Sequence, residues 1–257
     1  MKKLLMLTFI ILMMTACGND NKAQQTQNPG QVVGDDETTS NQNEELDTET
    51  KEPANTEVES ESKPSFQSAI PSDWGIKLPA EFPVTTGKHL TAITSSEQDA
   101  VTINFYQTDT PLEMNDAQIN KAGQFVGQLQ ITKHATEKSA SEEIDKTVFT
   151  DGEAVDLGHG ITGYQDAGAG SQFTSWNEGR WAIIARSTTE KSEDSLALAK
   201  ETVEYLETHM MPIPKQHGHL HIDANTQGSL AMWQKEKFVY TLTDFGDSTL
   251  DWLVTFE

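Results

Sequence analysis

A long stretch without aromatic residues divides this chain into two parts that differ in their capacity to fold. Between Phe9 and Phe66 the sequence contains no Phe, Trp or Tyr, and residues 18–64 are mainly Gln, Asn, Thr, Ser and Glu. The large aliphatic residues of that segment are Val32, Val33, Leu46 and Val58. Burial of so little apolar surface cannot offset the conformational entropy that folding would cost. We therefore expect residues 17–64 to form a disordered tether.

The tether is also strongly acidic. Residues 18–64 carry 12 acidic and 3 basic side chains, which gives a net charge of −9. Repulsion between like charges extends such a segment, and a coil of this length spans on the order of 40 Å. We interpret it as a spacer, and the alternative is a segment that binds a partner.

The segment before the tether has the pattern of an export signal. Lys2 and Lys3 are followed by an apolar run, Leu4–Met14, in which Thr8 is the only polar residue. A helix that spans a membrane needs about 20 apolar residues, so this run is too short to span one. Its length matches the apolar core of a signal peptide instead.

The end of this run resembles the lipobox of bacterial lipoproteins, in which an aliphatic residue and two small residues precede a cysteine. Met14, Thr15 and Ala16 precede Cys17, which is the only cysteine of the chain. The resemblance implies that residues 1–16 are removed and that Cys17 carries a diacylglyceryl group, whose two acyl chains anchor a protein stably to a bilayer. The alternatives are an ordinary cleaved signal with a chance cysteine, or an uncleaved anchor.

The whole chain is similar to uncharacterised extracytoplasmic lipoproteins of Bacillus-like bacteria. The shared features are a signal that begins with Lys-Lys-Leu-Leu, a lipobox, a long acidic tether and one C-terminal domain. The resemblance implies a lipid-anchored location on the extracytoplasmic face of the cell membrane. It brings no known activity and no functional residues other than Cys17.

From Phe66 onward the composition is that of a folded domain. Residues 65–257 are numerous enough to bury one sizeable core, and we predict a single globular domain. This part carries 28 acidic and 13 basic side chains, a net charge of −15. Nucleic acids and anionic lipids are bound through broad basic surfaces, so we expect no nucleic-acid partner.

Apolar residues at alternating or helical spacing predict an α+β fold, with a mainly antiparallel sheet and about two helices packed on it. The predicted helices are 112–129 and 192–209. The second begins at Ser192 or Asp194 as N-cap and is stopped by Pro212. Strands are predicted at 101–107, 131–136, 159–166, 171–176, 180–188, 218–224, 229–233, 238–243 and 250–257.

Two parts of the domain resemble each other. In Ser175–Ile184 and in Met232–Thr241 a strand ends in Trp, and a polar turn, a basic residue, an aromatic residue and a second strand follow. We interpret them as two similar hairpins. Their aromatic pairs either stack on a ligand or stabilise the hairpins across the strands. These pairs are Trp176 with Trp181 and Trp233 with Phe238.

One predicted strand has the spacing of a metal site. His217, His219, His221 and Asp223 are each two residues apart, and alternate residues of a strand share a face. Imidazole and carboxylate are suitable ligands for zinc, copper or nickel. Residues two apart on a strand lie about 6–7 Å apart, so three in a row reach one ion only with strain. The alternative is a solvent-facing strand that is rich in His, and no other cofactor is indicated.

A third interpretation is a hydrolase. His219 or His221 would act as general base, Asp223 or Asp166 would orient it, and Ser171 would be the nucleophile. The sequence has no G-x-S-x-G elbow, phosphate-binding loop, HExxH or CxxC. We therefore favour a non-enzymatic module that binds a protein or small ligand in the envelope, then a transition-metal-binding lipoprotein, and then a cell-envelope hydrolase.

The lipobox predicts the outcome of a labelling experiment. In a bacterial host, Cys17→Ser should abolish incorporation of labelled palmitate, because the chain has no second cysteine to accept a diacylglyceryl group. The control Thr15→Ser keeps a small residue before the cut site and should retain the label. Label on the Cys17→Ser chain would contradict the lipobox.

Overall fold

A single mixed sheet of ten strands organises the domain. The structure, a computed structural model, describes residues 65–225 and 228–257, which lie within one compact unit. The predicted α+β class is confirmed. The predicted signal peptide 1–16, Cys17 and the tether 17–64 lie outside the described residues.

The strands follow the order β1-β2-β3-β10-β9-β8-β7-β6-β5-β4 across the sheet. Their bounds are β1 His89–Ser96, β2 Ala100–Thr108, β3 Gln124–Lys133, β4 Glu153–Gly158, β5 Ile161–Gly168, β6 Ser171–Glu178, β7 Trp181–Thr188, β8 Gly218–Asp223, β9 Leu230–Lys235 and β10 Phe238–Thr243. The helices are α1 Ile119–Ala122, α2 Glu137–Glu143, α3 Ser192–Leu206 and α4 Thr249–Leu253. None of these described helices is long and apolar enough to cross a membrane.

The parallel pair β7–β8 joins two antiparallel halves of the sheet. Every other neighbouring pair of described strands is antiparallel. Parallel neighbours need a long crossover connection, and α3 provides it. After β7 the helix packs on β4, β6 and β7, and the chain then returns to the start of β8.

The predicted helix 192–209 is confirmed as α3, but both predicted boundary signals are wrong. Ala199, Val203 and Leu206 are buried against the sheet. The N-cap position is Lys191, and no side chain caps the helix there. The acidic residues of the first turn favour the helix start through its dipole. At the other end the helix stops at Leu206, well before Pro212.

The predicted helix 112–129 is wrong. Only the four residues of α1 are helical there, and β3 begins at Gln124. Gly127, Leu129 and Ile131 are buried at alternate positions, because β3 lies between β2 and β10. A Cβ on Gly127 would lie 2.4–2.6 Å from ring atoms of Phe245. Gly127 therefore leaves space for the Phe245 ring, which a larger residue at this position would displace.

The number of helices and the set of strands also differ from the prediction. Four short or medium α-helices are described in place of about two. The predicted strand 250–257 is α4 followed by a 3-10 turn, and it buries Trp252 and Leu253. Strands β1 and β4 are additional to the predicted ones.

The two predicted hairpins are confirmed as β6–β7 and β9–β10. Both turns place a residue with positive φ at the same position, Gly179 at 58° and Glu236 at 53°. Neither predicted aromatic pair lies directly across its two strands, because Trp176 is opposite Ile183 and Trp233 is opposite Tyr240. The aromatic residues of both hairpins are buried and belong to the core, so they form no exposed stacking surface. These residues are Trp176, Trp181, Trp233 and Phe238.

The two faces of the sheet are covered differently. One face carries the main core, under α3 on one side and under α4 with the segment 66–82 on the other. On the opposite face α2 packs on β10, where Ala140 and Ile144 contact Val239. Its N-terminus is fixed by a capping box between Thr136 and Ser139.

Six rings form an aromatic cluster on the main face: Phe66, Phe82, Phe105, Phe245, Trp252 and Phe256. The ring centroid of Phe82 lies 5.2 Å from those of Phe105 and Trp252. Aromatic pairs at such distances add about 0.5–1.5 kcal/mol each beyond their burial. The cluster therefore packs residues 66–82, which we call the entry segment, and helix α4 against β2.

Substitution of Gly127 tests this packing. We expect Gly127→Ala to lower the free energy of unfolding by about 1–3 kcal/mol, because the new methyl group overlaps the Phe245 ring. Urea denaturation measures the change. The matched control is Gly168→Ala in β5, where no atom lies within 4 Å of the new Cβ, and it should change stability by less than about 0.5 kcal/mol. Equal stability of the two variants would contradict the packing.

Candidate functional site

Strand β8 places the predicted row of polar residues on one face. His219, His221 and Asp223 alternate with Leu220 and Ile222, which are buried in the main core. This division of the two faces is confirmed for the residues within β8. His217 precedes the strand.

The row lies on the face that α2 covers. His219 is opposite Met232 in β9, and Met232 packs against the small cluster around Val239. Burial lowers the pKa of His219 and of His221, which favours their neutral form. The Nδ1 atom of His219 is buried without a hydrogen-bond partner.

Asp223 is occupied by protein donors. Its side chain is only 2% exposed and forms an ion pair with Nη1 of Arg186. The backbone N–H of Asn225 donates to Oδ1 at 2.7 Å, and the Asn225 side chain donates at 3.1 Å. Burial alone would raise the pKa of Asp223, but these hydrogen bonds outweigh it and lower that pKa. The carboxylate is thus a structural anion between β7 and β8.

The described structure does not bring the predicted metal ligands together. Within residues 65–225 and 228–257, no three His, Cys, Asp or Glu side chains are grouped so that they could hold a metal ion. Two of the four predicted ligands, His219 and His221, keep their common face, but Asp223 is engaged by Arg186. The metal site therefore stays a prediction from the sequence.

The residues of the hydrolase interpretation are not arranged as a triad in the described chain. The Ser171 hydroxyl is buried and accepts a hydrogen bond from Nε of Arg186 at 2.9 Å. Neither His219 nor His221 is among its hydrogen-bond partners. The carboxylate of Asp166 accepts from the backbone N–H of the next residue. Ser171 and Asp223 thus meet through Arg186, and a guanidinium is no general base.

A cavity of about 620 Å³ lies beside the residues with which the described domain begins. We call it the N-terminal groove. Pockets for small ligands usually measure about 300–1,000 Å³ and have mostly apolar walls with a few polar groups. The apolar wall consists of Phe66, Phe82, Val84, Leu90, Pro111 and Leu112, and the polar part includes Lys88, His89, Glu113 and Asp116.

Hydrogen bonds hold the segment on one side of the groove. Nε2 of Gln67 donates to the Ile76 carbonyl at 2.9 Å, and Oε1 of Gln67 accepts from the Leu78 backbone N–H at 2.9 Å. Phe66 and Phe82 belong to the aromatic cluster, so this wall is continuous with the core. The wall is therefore formed before any ligand arrives.

The loop on the other side is fastened to β1. Asn115 has a φ of 64°, and its backbone N–H donates to the Ala92 carbonyl at 2.9 Å. Its Oδ1 accepts from the Thr94 backbone N–H at 2.7 Å. The Thr91 hydroxyl donates to the Glu113 carbonyl at 3.2 Å. These bonds fix the backbone of Glu113, whose side chain is exposed at the groove.

The charges at the groove are unevenly matched. Nζ of Lys88 donates a hydrogen bond to Asp109 within an ion pair, and this hydrogen bond lowers the pKa of Asp109. Glu113 and Asp116 take part in none of the ion pairs among the described residues. Among donors in the described part of the chain, the Asp116 carboxylate accepts only from the Gln118 backbone N–H, at 2.7 Å. The groove therefore has an excess of negative charge.

A second, smaller cavity of about 380 Å³ lies between the β6–β7 turn and the segment that follows α3. Burial raises the pKa of Glu178 at its edge. Arg180 is used structurally there, because Nη1 donates to the carbonyls of Pro214 and Lys215 at 2.8 and 3.2 Å. Its smaller volume makes it a weaker candidate than the N-terminal groove.

Sequence reasoning missed the groove. The sequence predicts no strand or helix of the domain before residue 101, and it predicts a helix at 112–129. The groove arises because a Pro-rich segment and a loop far apart in sequence meet beside β1. The available signal was local: Phe82, Val84 and Leu112 are apolar residues in segments without a repeating pattern.

The chain was compared with protein-family models, curated proteins and solved structures. No protein-family model, curated protein or solved structure matches this chain.

Substitution of Asp223 tests its structural role. We expect Asp223→Asn to lower the free energy of unfolding at pH 7 by about 1–3 kcal/mol, because the Arg186 guanidinium loses its charged acceptor. The folded-state pKa is lowered, so the stabilisation is present above the pKa of the unfolded carboxyl, about 3.9, and is lost as the pH falls further. Urea denaturation from pH 7 to pH 3 should show the difference disappearing.

The exposed Asp166, on the neighbouring part of the sheet, provides the matched control. Asp166→Asn should leave the stability at pH 7 within about 0.5 kcal/mol of the wild type. A difference between wild type and Asp223→Asn that stayed constant down to pH 3 would contradict the ion pair as its cause.

Proposed function

We propose that this chain is a lipid-anchored extracytoplasmic protein that binds a small, partly apolar ligand in the N-terminal groove. The observation that carries the proposal is the groove itself, about 620 Å³ with aromatic and aliphatic walls and few polar groups. Such a composition is typical of ligand sites. The lipobox at Cys17 supports the anchoring, and the predicted tether would give the domain reach above the bilayer.

The lining of the groove favours binding over catalysis. None of the described residues that line it is Ser, Thr, Cys or Tyr, so the groove offers no hydroxyl or thiol nucleophile. His89 is the only imidazole there. A nucleophile with an adjacent base is the usual arrangement in covalent catalysis. The fixed walls are instead suited to hold a ligand without rearrangement of the backbone.

The position of the groove also supports the proposal. Its wall includes Phe66, so the site lies where the chain enters the domain. The walls are held by the aromatic cluster on one side and by Asn115 on the other. Preformed walls lose little conformational entropy on binding, which favours affinity.

A fluorescence titration tests whether the groove binds apolar ligands. The neutral probe N-phenyl-1-naphthylamine is added to the mature chain, residues 17–257 with Cys17→Ser, because lipid or detergent would itself take up the probe. We expect saturable fluorescence enhancement. Val84 is 45% exposed and lines the groove, so Val84→Trp should fill it and weaken the probe's affinity by about tenfold or more.

The matched control is Val148→Trp. Val148 is 70% exposed and does not line the groove, so the same substitution there should leave the probe's affinity unchanged. Thermal melting confirms that both variants fold. Absence of saturable binding, or binding that Val84→Trp does not weaken, would contradict the proposed site.

A further inference from the structure

We infer that the ligand of the N-terminal groove is a cationic amphiphile, a small molecule with an amine or quaternary ammonium head on an apolar body. This inference rests on the proposed function and adds the charge of the ligand. It depends on the cavity together with the charges that face it, which come from Lys88, just before β1, and from the loop after β2.

The basic side chain of the groove is already neutralised. Nζ of Lys88 is paired with Asp109, which lies on the same loop as the acidic residues of the groove. An anionic head group would have to compete with Asp109 for that ammonium. It would also approach Glu113 and Asp116, so like-charge repulsion opposes it.

The carboxylates at the groove are suited to a positive charge. Glu113 and Asp116 are held on one loop whose backbone is fixed to β1, and they are in no ion pair among the described residues. Carboxylates beside apolar walls attract a cation more strongly than carboxylates in bulk water, because the effective dielectric constant is lower there.

The apolar wall selects the rest of the ligand. Phe66, Phe82, Val84, Leu90 and Leu112 offer a surface for an alkyl or aryl body next to the charged end. A ligand with only a charge would leave this wall in water, and a purely apolar ligand would leave the carboxylates without a counterion.

Three ligands with the same ten-carbon chain and different head groups test the inference: decylamine, decanol and decanoate. Each ligand is added, below its own micellar concentration and in low salt, to the mature Cys17→Ser chain with bound N-phenyl-1-naphthylamine, and displacement of the probe is measured. We expect decylamine to displace the probe at a concentration about tenfold below that of decanol, and decanoate to be the weakest. Higher salt should reduce the advantage of the amine.

A double variant identifies the groups responsible. Glu113→Gln with Asp116→Asn should remove the advantage of decylamine over decanol. The matched control, Glu97→Gln with Asp99→Asn, removes two exposed carboxylates in the β1–β2 turn outside the groove, and it should keep the advantage.

The outcomes separate the two proposals. Absence of saturable probe binding would overturn the groove as the binding site, and failure of all three ligands to displace a bound probe would overturn the cationic amphiphile. Equal displacement by amine, alcohol and carboxylate would overturn the cationic ligand and leave the groove intact. An amine advantage that survives in the Glu113→Gln/Asp116→Asn chain would overturn the assignment of the charge to this loop.

Discussion

The packing of Phe82 against Phe105 and Trp252 is the contact on which the rest of the domain depends. Phe82 comes from the entry segment, Phe105 from β2 and Trp252 from α4, so three distant parts of the chain meet at one point. Without this contact the main face of the sheet near β2 would lose its cover. The same ring lines the N-terminal groove, so the core and the candidate site share a wall.

The structure also gives the polar row of β8 an explanation that does not involve catalysis. A sheet whose two halves meet in a parallel pair needs a stable junction, and Arg186 of β7 pairs there with Asp223 of β8. His219 and His221 are half-buried on the face that α2 covers. We therefore treat the Arg186–Asp223 ion pair as part of the fold and propose the groove as the binding site.

Regular patterns made part of the fold predictable, and non-local packing made the rest unpredictable. Strands β2, β5 to β8 and β10 and the helix α3 have clear periodicity, and the paired hairpins followed from the Trp176 and Trp233 repeats. The segment 112–129 misled because Phe125, Val126 and Leu129 fit a helical stripe, while Gly127 is required by the ring of Phe245. The groove could not be predicted from the sequence, because its lining comes from loops that contact each other only in the folded domain.

Hydrogen–deuterium exchange of the mature Cys17→Ser chain, with and without decylamine, tests the central claim most directly. Binding in the groove predicts slower exchange confined to the segments 81–90 and 111–118. Protection that appeared instead at 217–223, or in the segment 209–214 after α3, would place the ligand elsewhere and contradict the account.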